Sequence, residues 1–174
     1  MTPFRLPSTA VVTGAGGFIG RHLSRYLSEH GCNVRGIGHS AMSDEDRDRL
    51  GISLWYSGGI SSSALKKTCQ GAEIIYHCAG SGSVPLSLRE PMTDFSRNVL
   101  ATVEVLEYSR QEGGIPIVFL STAGVYGKVD RMPIHIDDPF RPISPYGMNK
   151  VTGEQLMHQY GIFFGVPGVI VRLF

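Results

Sequence analysis

The chain has almost no excess of either charge. Sixteen Lys and Arg against 15 Asp and Glu leave a formal +1 at neutral pH, too little to draw nucleic acid or an anionic membrane to it. It also lacks a Lys/Arg-rich run, so any anion recognition must be local. Cysteines are scarce: Cys32, Cys69 and Cys78 are odd in number and lack CxxC spacing, which excludes a disulfide scaffold or a patterned zinc site. A reduced cytosol is the expected compartment. His22, His30, His135 and His158 form no metal-ligand grouping, and no metal is expected. No apolar run approaches the ~18 residues of a membrane span. The stretch around Ala10 to Val12 is too short for a signal-peptide core. A soluble, cytoplasmic protein without nucleic-acid or membrane partners is the expectation.

What is present fits one compact domain: 174 residues, 42% hydrophobic and 18% charged. Short β-branched runs alternate with longer amphipathic segments, the pattern of repeated βα units and a parallel sheet. Strands are expected near Ser8 to Thr13, Asn33 to Gly38, Ile52 to Tyr56, Glu73 to Cys78, Ile115 to Ser121 and Gly168 to Leu173. Helices are expected over Gly17 to His30, Ser61 to Gln70, about Leu88 to Glu112, and about Ser144 to Gly165. Ser43 to Arg49 is a mixed-charge run that reads as a solvated helix face or a loop. Gly31, Gly71 and Gly113-Gly114 stand where helices should stop. Met132 to Pro145 reads as a surface loop.

Two distant segments carry chemistry. Thr13-Gly14-Ala15-Gly16-Gly17-Phe18-Ile19-Gly20 follows a strand run and opens an amphipathic helix, the context in which glycines at this spacing hold a dinucleotide. They permit a tight turn, a close approach to pyrophosphate and close helix packing, and the helix N-terminus offers free N–H groups. Tyr146 and Lys150 stand four apart, on one face of a helix, where an ammonium near a phenol lowers its pKa and makes a base. Ser121-Thr122-Ala123-Gly124-Val125-Tyr126-Gly127 places small hydroxyls at the carboxyl end of a strand, where open parallel sheets bind ligands.

Together these segments, with His77-Cys78-Ala79-Gly80, Asn98 and Val169-Ile170-Val171-Arg172-Leu173-Phe174, resemble the extended short-chain dehydrogenase/reductase superfamily, and within it the nucleotide-sugar epimerase/dehydratase group. The resemblance implies a Rossmann-type doubly wound parallel sheet of about six strands, order 3-2-1-4-5-6, with helices on both faces. It implies that Tyr146 is the acid/base, that Lys150 hydrogen-bonds the nicotinamide ribose and tunes Tyr146, and that Thr122 holds the substrate hydroxyl, a role Ser121 could share. Cofactor contacts are implied for Gly14, Gly17, Phe18, Ile19, Gly20, His39, Ser40, Ala79, Asn98, Tyr146 and Lys150. The implied reaction exchanges a hydride between nicotinamide C4 and a sugar carbon, as in 4-epimerisation through a 4-keto sugar. A homodimer through the helices near 88–112 and 144–165 is also implied.

Several positions depart from that pattern. Dehydratases of the group carry an acid beside the Thr; here stand Ala123 and Gly124, which favours epimerisation or keto reduction. The acid expected after the second strand, which would hydrogen-bond a ribose 2′-hydroxyl, is replaced by Gly38-His39-Ser40. NAD and NADP both stay open, and Arg35 lies too early in its strand to decide. The Asp that meets adenine after the third strand is replaced within Gly58-Gly59-Ile60-Ser61. His77 reads as a packing or locally hydrogen-bonded residue. Family members continue past the strand that ends at Phe174, so residues 1–174 are expected to be an NAD(P)-binding domain without its C-terminal substrate domain. An NADP-dependent ketone or aldehyde reductase and a non-catalytic dinucleotide-binding module are the competing readings.

Overall fold

Strands form where the sequence places its short β-branched runs. In the computed structural model, which describes residues 5–174, they are β1 (Thr9–Thr13), β2 (Asn33–Gly38), β3 (Ile52–Ser57), β4 (Ile74–His77), β5 (Ile117–Thr122) and β6 (Gly168–Leu173). They pair in one six-stranded, wholly parallel sheet, order β3-β2-β1-β4-β5-β6. The expected Rossmann order is therefore present. Strand order reverses between β1 and β4, and a crevice opens beyond their carboxyl ends, the place where such sheets bind ligands.

The helices are α1 (Phe18–Glu29), α2 (Asp44–Arg49), α3 (Ser62–Thr68), α4 (Val84–Arg89), α5 (Pro91–Phe95), α6 (Ala101–Gln111) and α7 (Pro145–Phe164). Alternation along β1 feeds two cores. Val11 joins Leu65 of α3, Val105 and Leu106 of α6, Phe119 and Met157 of α7. Ala10 and Val12 join Leu27 of α1, Val34, Leu50 and Ile52. Burial on both faces is why these strands read as continuous apolar runs rather than as alternating ones.

The single helix expected over Leu88 to Glu112 is instead α4, α5, a π-helical turn at Ser96–Leu100, and α6. Pro91 removes an N–H and restricts the residue before it, and Glu90 leaves the helical region at φ −133°, ψ 65°. The mixed-charge run forms the exposed helix α2: Ser43 Oγ accepts from Asp46 N, and Arg47 and Arg49 pair with Asp44 and Asp46. Arg35, within β2, donates to the carbonyls of Thr68 and Gln70 and so ties down the end of α3. Gly31, Gly71, Gly113 and Gly114 have positive φ where helices end, as expected.

The longest helix, α7, starts with Ser144 Oγ accepting from Gly147 N, has Pro145 in its first turn, and ends on left-handed Gly165. Its buried stripe is Gly147, Lys150, Gly153, Glu154 and Met157. A Cβ on Gly153 would stand 2.6 Å from Phe119 Cζ, so glycine there lets α7 press onto β5. That contact delivers Tyr146 and Lys150 to the end of β5.

Candidate functional site

The glycine turn is built as the sequence requires. Gly14 adopts φ +68°, and a Cβ on it would meet the backbone of Ala79 at 2.8 Å, which brings the β1 and β4 strand ends together. A Cβ on Gly20 would stand 2.2 Å from Gly14 O, so α1 can start against the turn only with glycine there. Gly17 caps α1 without a side-chain acceptor, and the first N–H groups of the helix remain available to an anion.

Beside this turn lies a cavity of about 600 Å³ whose wall includes Gly14, Gly17, His39, Ser40 and Ala79, all expected cofactor contacts. Arg21, Met42 and Trp55, not singled out from the sequence, line it as well. Phe18, Ile19, Gly20 and Asn98 are not in its wall, nor are Thr122, Tyr146 and Lys150. Lys150 nevertheless adjoins it: its Nζ lies 3.5 Å from where a Cβ on Gly80, a wall residue, would stand. Asn98 Oδ1 points at the same place, 2.6 Å away, and is buried without a hydrogen-bond partner among the described residues. A glycine cradle, free helix N–H groups and an orphan acceptor fit a dinucleotide laid from His39 to Lys150.

At the far end, β5 separates its two hydroxyls. Ser121 points into the core and donates to Glu154 Oε1 at 2.5 Å, so it is not free to share the Thr122 role. Thr122, one residue on, faces the other way, and among the described residues its Oγ1 accepts from Gly124 N alone. Glu154, 1% exposed, is also held by Arg172, whose Nη1 donates to the Tyr126 hydroxyl and the Ile136 carbonyl. This network ties α7, β6 and the surface loop to the end of β5.

The expected influence of Lys150 on Tyr146 needs correction. Lys150 Nζ donates to the Leu120 carbonyl at 2.8 Å and sits 4.8 Å from the Phe119 ring centre. Burial pushes the ammonium down to about 8, against the opposing pull of Cys78, Asp94 and Glu154. The Tyr146 phenol stands above the usual tyrosine range: burial raises it, hydrogen bonding with Thr122 lowers it, and Asp94 raises it again. The protein's own groups therefore keep Tyr146 protonated, because desolvation of the phenolate outweighs the stabilisation offered.

Asp94 is a residue that sequence reasoning missed. Fully buried, it accepts from Asn98 Nδ2 at 3.1 Å and from Asn149 Nδ2 at 2.7 Å, linking α5 to α7 beside the Tyr146–Lys150 pair. The i, i+4 spacing of Asp94 and Asn98 was the available signal. His77 behaves as expected: it packs and hydrogen-bonds locally. Ala79 N–H donates to Thr13 Oγ1, Thr13 to His77 Nδ1, His77 Nε2–H to Thr102 Oγ1, and Thr102 to the Asn98 carbonyl. Thr102 has one proton and gives it to Asn98, so His77 must be the Nε2–H tautomer. Burial pushes its pKa down to about 3, and it stays neutral. One directional chain thus joins the cavity wall at Ala79 to the π turn at Asn98.

A profile of the NAD dependent epimerase/dehydratase family matches residues 10–174. The chain belongs to that family. Its members use a nicotinamide dinucleotide, which the cavity fits. Relatives include the UDP-glucose 4-epimerase of Azospirillum brasilense, 31% identical over 94% of this chain and 48% of its own length. That of Lacticaseibacillus casei is 33% identical over 95% and 51%. This epimerase-family chain therefore spans about half the length of the curated relatives it matches. Among solved structures, the Thermus thermophilus UDP-glucose 4-epimerase with NAD superposes with a TM-score of 0.84 at 29% identity, over 94% of this chain and 54% of the other. The Brucella ovis enzyme with NAD gives 0.84 at 26% identity, over 95% and 51%. No helix among the described residues is long and apolar enough to cross a membrane.

Proposed function

We propose that residues 1–174 are the dinucleotide-binding half of a nucleotide-sugar 4-epimerase-like oxidoreductase, with Tyr146, Thr122 and Lys150 as its reacting end. The supporting observation is convergence: the cavity beside the glycine turn includes Gly80, next to Lys150, and Lys150 shares α7 with Tyr146 and donates to the Leu120 carbonyl, two residues before Thr122 at the carboxyl end of β5. When bound, the dinucleotide accepts a hydride from a sugar carbon and returns it. Thr122 Oγ1 orients the hydroxyl on that carbon. As a phenolate Tyr146 would take that hydroxyl's proton, and as the neutral phenol that the protein's own groups favour it would give the proton back. Its raised pKa suits the returning step, in which a protonated phenol meets a developing alkoxide. Lys150, held by Leu120 and next to Gly80, offers its remaining N–H donors to the ribose end of the cofactor.

A keto reductase working on the same groups is the second reading, and Ala123 and Gly124 in place of an acid fit it equally. Exposed Leu88, Met92, Leu100 and Met148 on α4, α5, the π turn and α7 support a homodimer through these helices; a monomer at every concentration in sedimentation would remove that part.

Titration of the chain with NAD and NADP tests the core of the reading, with Gly17→Val beside it. Binding lost in that variant is the expected result. Conversion of UDP-glucose to UDP-galactose, followed by NMR, then falls about 10²- to 10⁴-fold in Tyr146→Phe while dinucleotide binding persists. A folded wild-type chain that binds neither dinucleotide overturns the proposal.

A further inference from the structure

We infer that the adenosine end of this site is built for the 2′-phosphorylated dinucleotide, NADP, through Arg21, His39 and Ser40 around a Trp55 wall. This rests on the dinucleotide reading above and goes beyond it by choosing the cofactor.

A carboxylate at the end of β2 selects NAD, because it accepts from the ribose 2′-hydroxyl and repels a phosphate there. In this chain the last residue of β2 is Gly38, and the space above it is taken. A Cβ on Gly38 would stand 2.4 Å from Trp55 Cη2 and 2.9 Å from Cζ2, and one on Gly36 would stand 2.9 Å from Trp55 Cε3. The indole thus lies across β2 and reaches toward Gly16, whose Cβ position is 3.4 Å from Cη2. An acidic side chain at position 38 would have to displace it. After β3 the expected adenine-contacting Asp is missing as well, and the His39 ring stands 3.8 Å from where a Cβ on Gly59 would be. Aromatic rings hold both places where the pattern puts carboxylates.

The rim of the same cavity is cationic and hydroxylic. Arg21, in the first turn of α1, donates from Nε to the Gly16 carbonyl at 2.9 Å, which lays its guanidinium along the glycine turn. No carboxylate among the described residues pairs with it, and its Nη donors remain for an anion. His39 and Ser40 line the same wall. The acids nearest in sequence, Asp44 and Asp46 on α2, are engaged by Arg47 and Arg49; Glu45 on α2 has no such pair, and Glu104 of α6 lines the cavity together with Arg97. A guanidinium recognises phosphate by charge-assisted, fork-like hydrogen bonds, and stacking on an indole needs no carboxylate.

Trp55 is the one tryptophan in the chain, so its fluorescence reports occupancy of this end directly. The experiment compares quenching of Trp55 by NADP, NAD, adenosine 2′,5′-bisphosphate and ADP, with calorimetry in parallel. NADP is expected to bind at least about tenfold more tightly than NAD, and the 2′,5′-bisphosphate more tightly than ADP, because a charge-assisted contact is worth roughly that factor. Arg21→Ala and His39→Ala should each shrink the NADP-to-NAD ratio. NAD binding as tightly as or more tightly than NADP overturns the cofactor choice and leaves the dinucleotide site standing. A ratio unchanged in both variants overturns the roles of Arg21 and His39. Binding of none of the four ligands overturns this inference together with the function it rests on.

Discussion

Acid should loosen this fold through His77, by an amount the structure allows to be worked out. Folded His77 stays neutral down to about pH 3 because it is buried and lies near the Lys150 ammonium. In the unfolded chain the imidazole titrates near its ordinary 6.5. Between these values the unfolded chain binds one proton more, so stability falls as pH drops through 6.5 and keeps falling toward 3. Each full proton of difference contributes about 1.4 kcal/mol per pH unit, and from pH 7 to pH 5 the integrated loss is about 2 kcal/mol. The measurement is urea unfolding at both pH values for the wild type and for His77→Gln, whose amide can still donate to Thr102 but does not titrate. The variant starts from a lower stability, yet its loss from pH 7 to pH 5 should be smaller than that of the wild type by about 2 kcal/mol. Glu73, Glu107 and Asp138, whose carboxyls are held below their ordinary range, contribute alike to both proteins and cancel. Parallel pH curves would refute the reasoning, since they would mean that folded His77 accepts its proton.

Two further outcomes follow from the buried charges. Arg172→Met should destabilise the chain by about 3–5 kcal/mol, because Glu154 would keep only Ser121 as a donor in a fully buried place; urea melts at pH 7 check it, and a loss under 1 kcal/mol would contradict it. Lys150 loses its charge near pH 8, and only the ammonium makes charge-assisted hydrogen bonds, so dinucleotide affinity should fall up to about tenfold from pH 7 to pH 9. Calorimetry across that range, with a flat profile in Lys150→Met, is the check, and a flat wild-type profile would show that the ammonium is not a cofactor contact.

Local chemistry was legible in the sequence because it depends on near neighbours. The glycine spacing of the first turn, the β-branched runs of β1, β2 and β6, and the Ser144-Pro145 start of α7 all appear where residue type demands them. The parallel sheet followed from the alternation of βα units, and its Rossmann order from the resemblance to the short-chain dehydrogenase/reductase superfamily. Pro91 carried the signal for the break in the long helix. Long-range pairings were not legible. The Asp94–Asn149 contact spans 55 positions, and Lys150 could be placed on the Tyr146 face of α7 without any hint that it turns toward Leu120. The raised phenol follows from burial and from the nearby Asp94, neither of which spacing encodes.

The adenosine end shows how one residue of register can outweigh a motif. Val34 pairs with Ile52, but Arg35 pairs with Leu54, so Ser53 is skipped as a bulge and Trp55 falls opposite Gly36. Without the bulge, strict alternation from Ile52 would put Leu54 and Tyr56 on the α1 side and turn Trp55 toward the α3 side. With it, Trp55 joins the α1 core and Tyr56 the opposite one. The indole then needs Gly36 and Gly38 beneath it, and Gly38 is the position that would otherwise carry the selecting carboxylate. In the sequence the missing acid and the tryptophan are two unrelated facts seventeen positions apart by numbering, roughly a strand and a helix away. The bulge makes them one, because the same slip that brings in the ring excludes the acid.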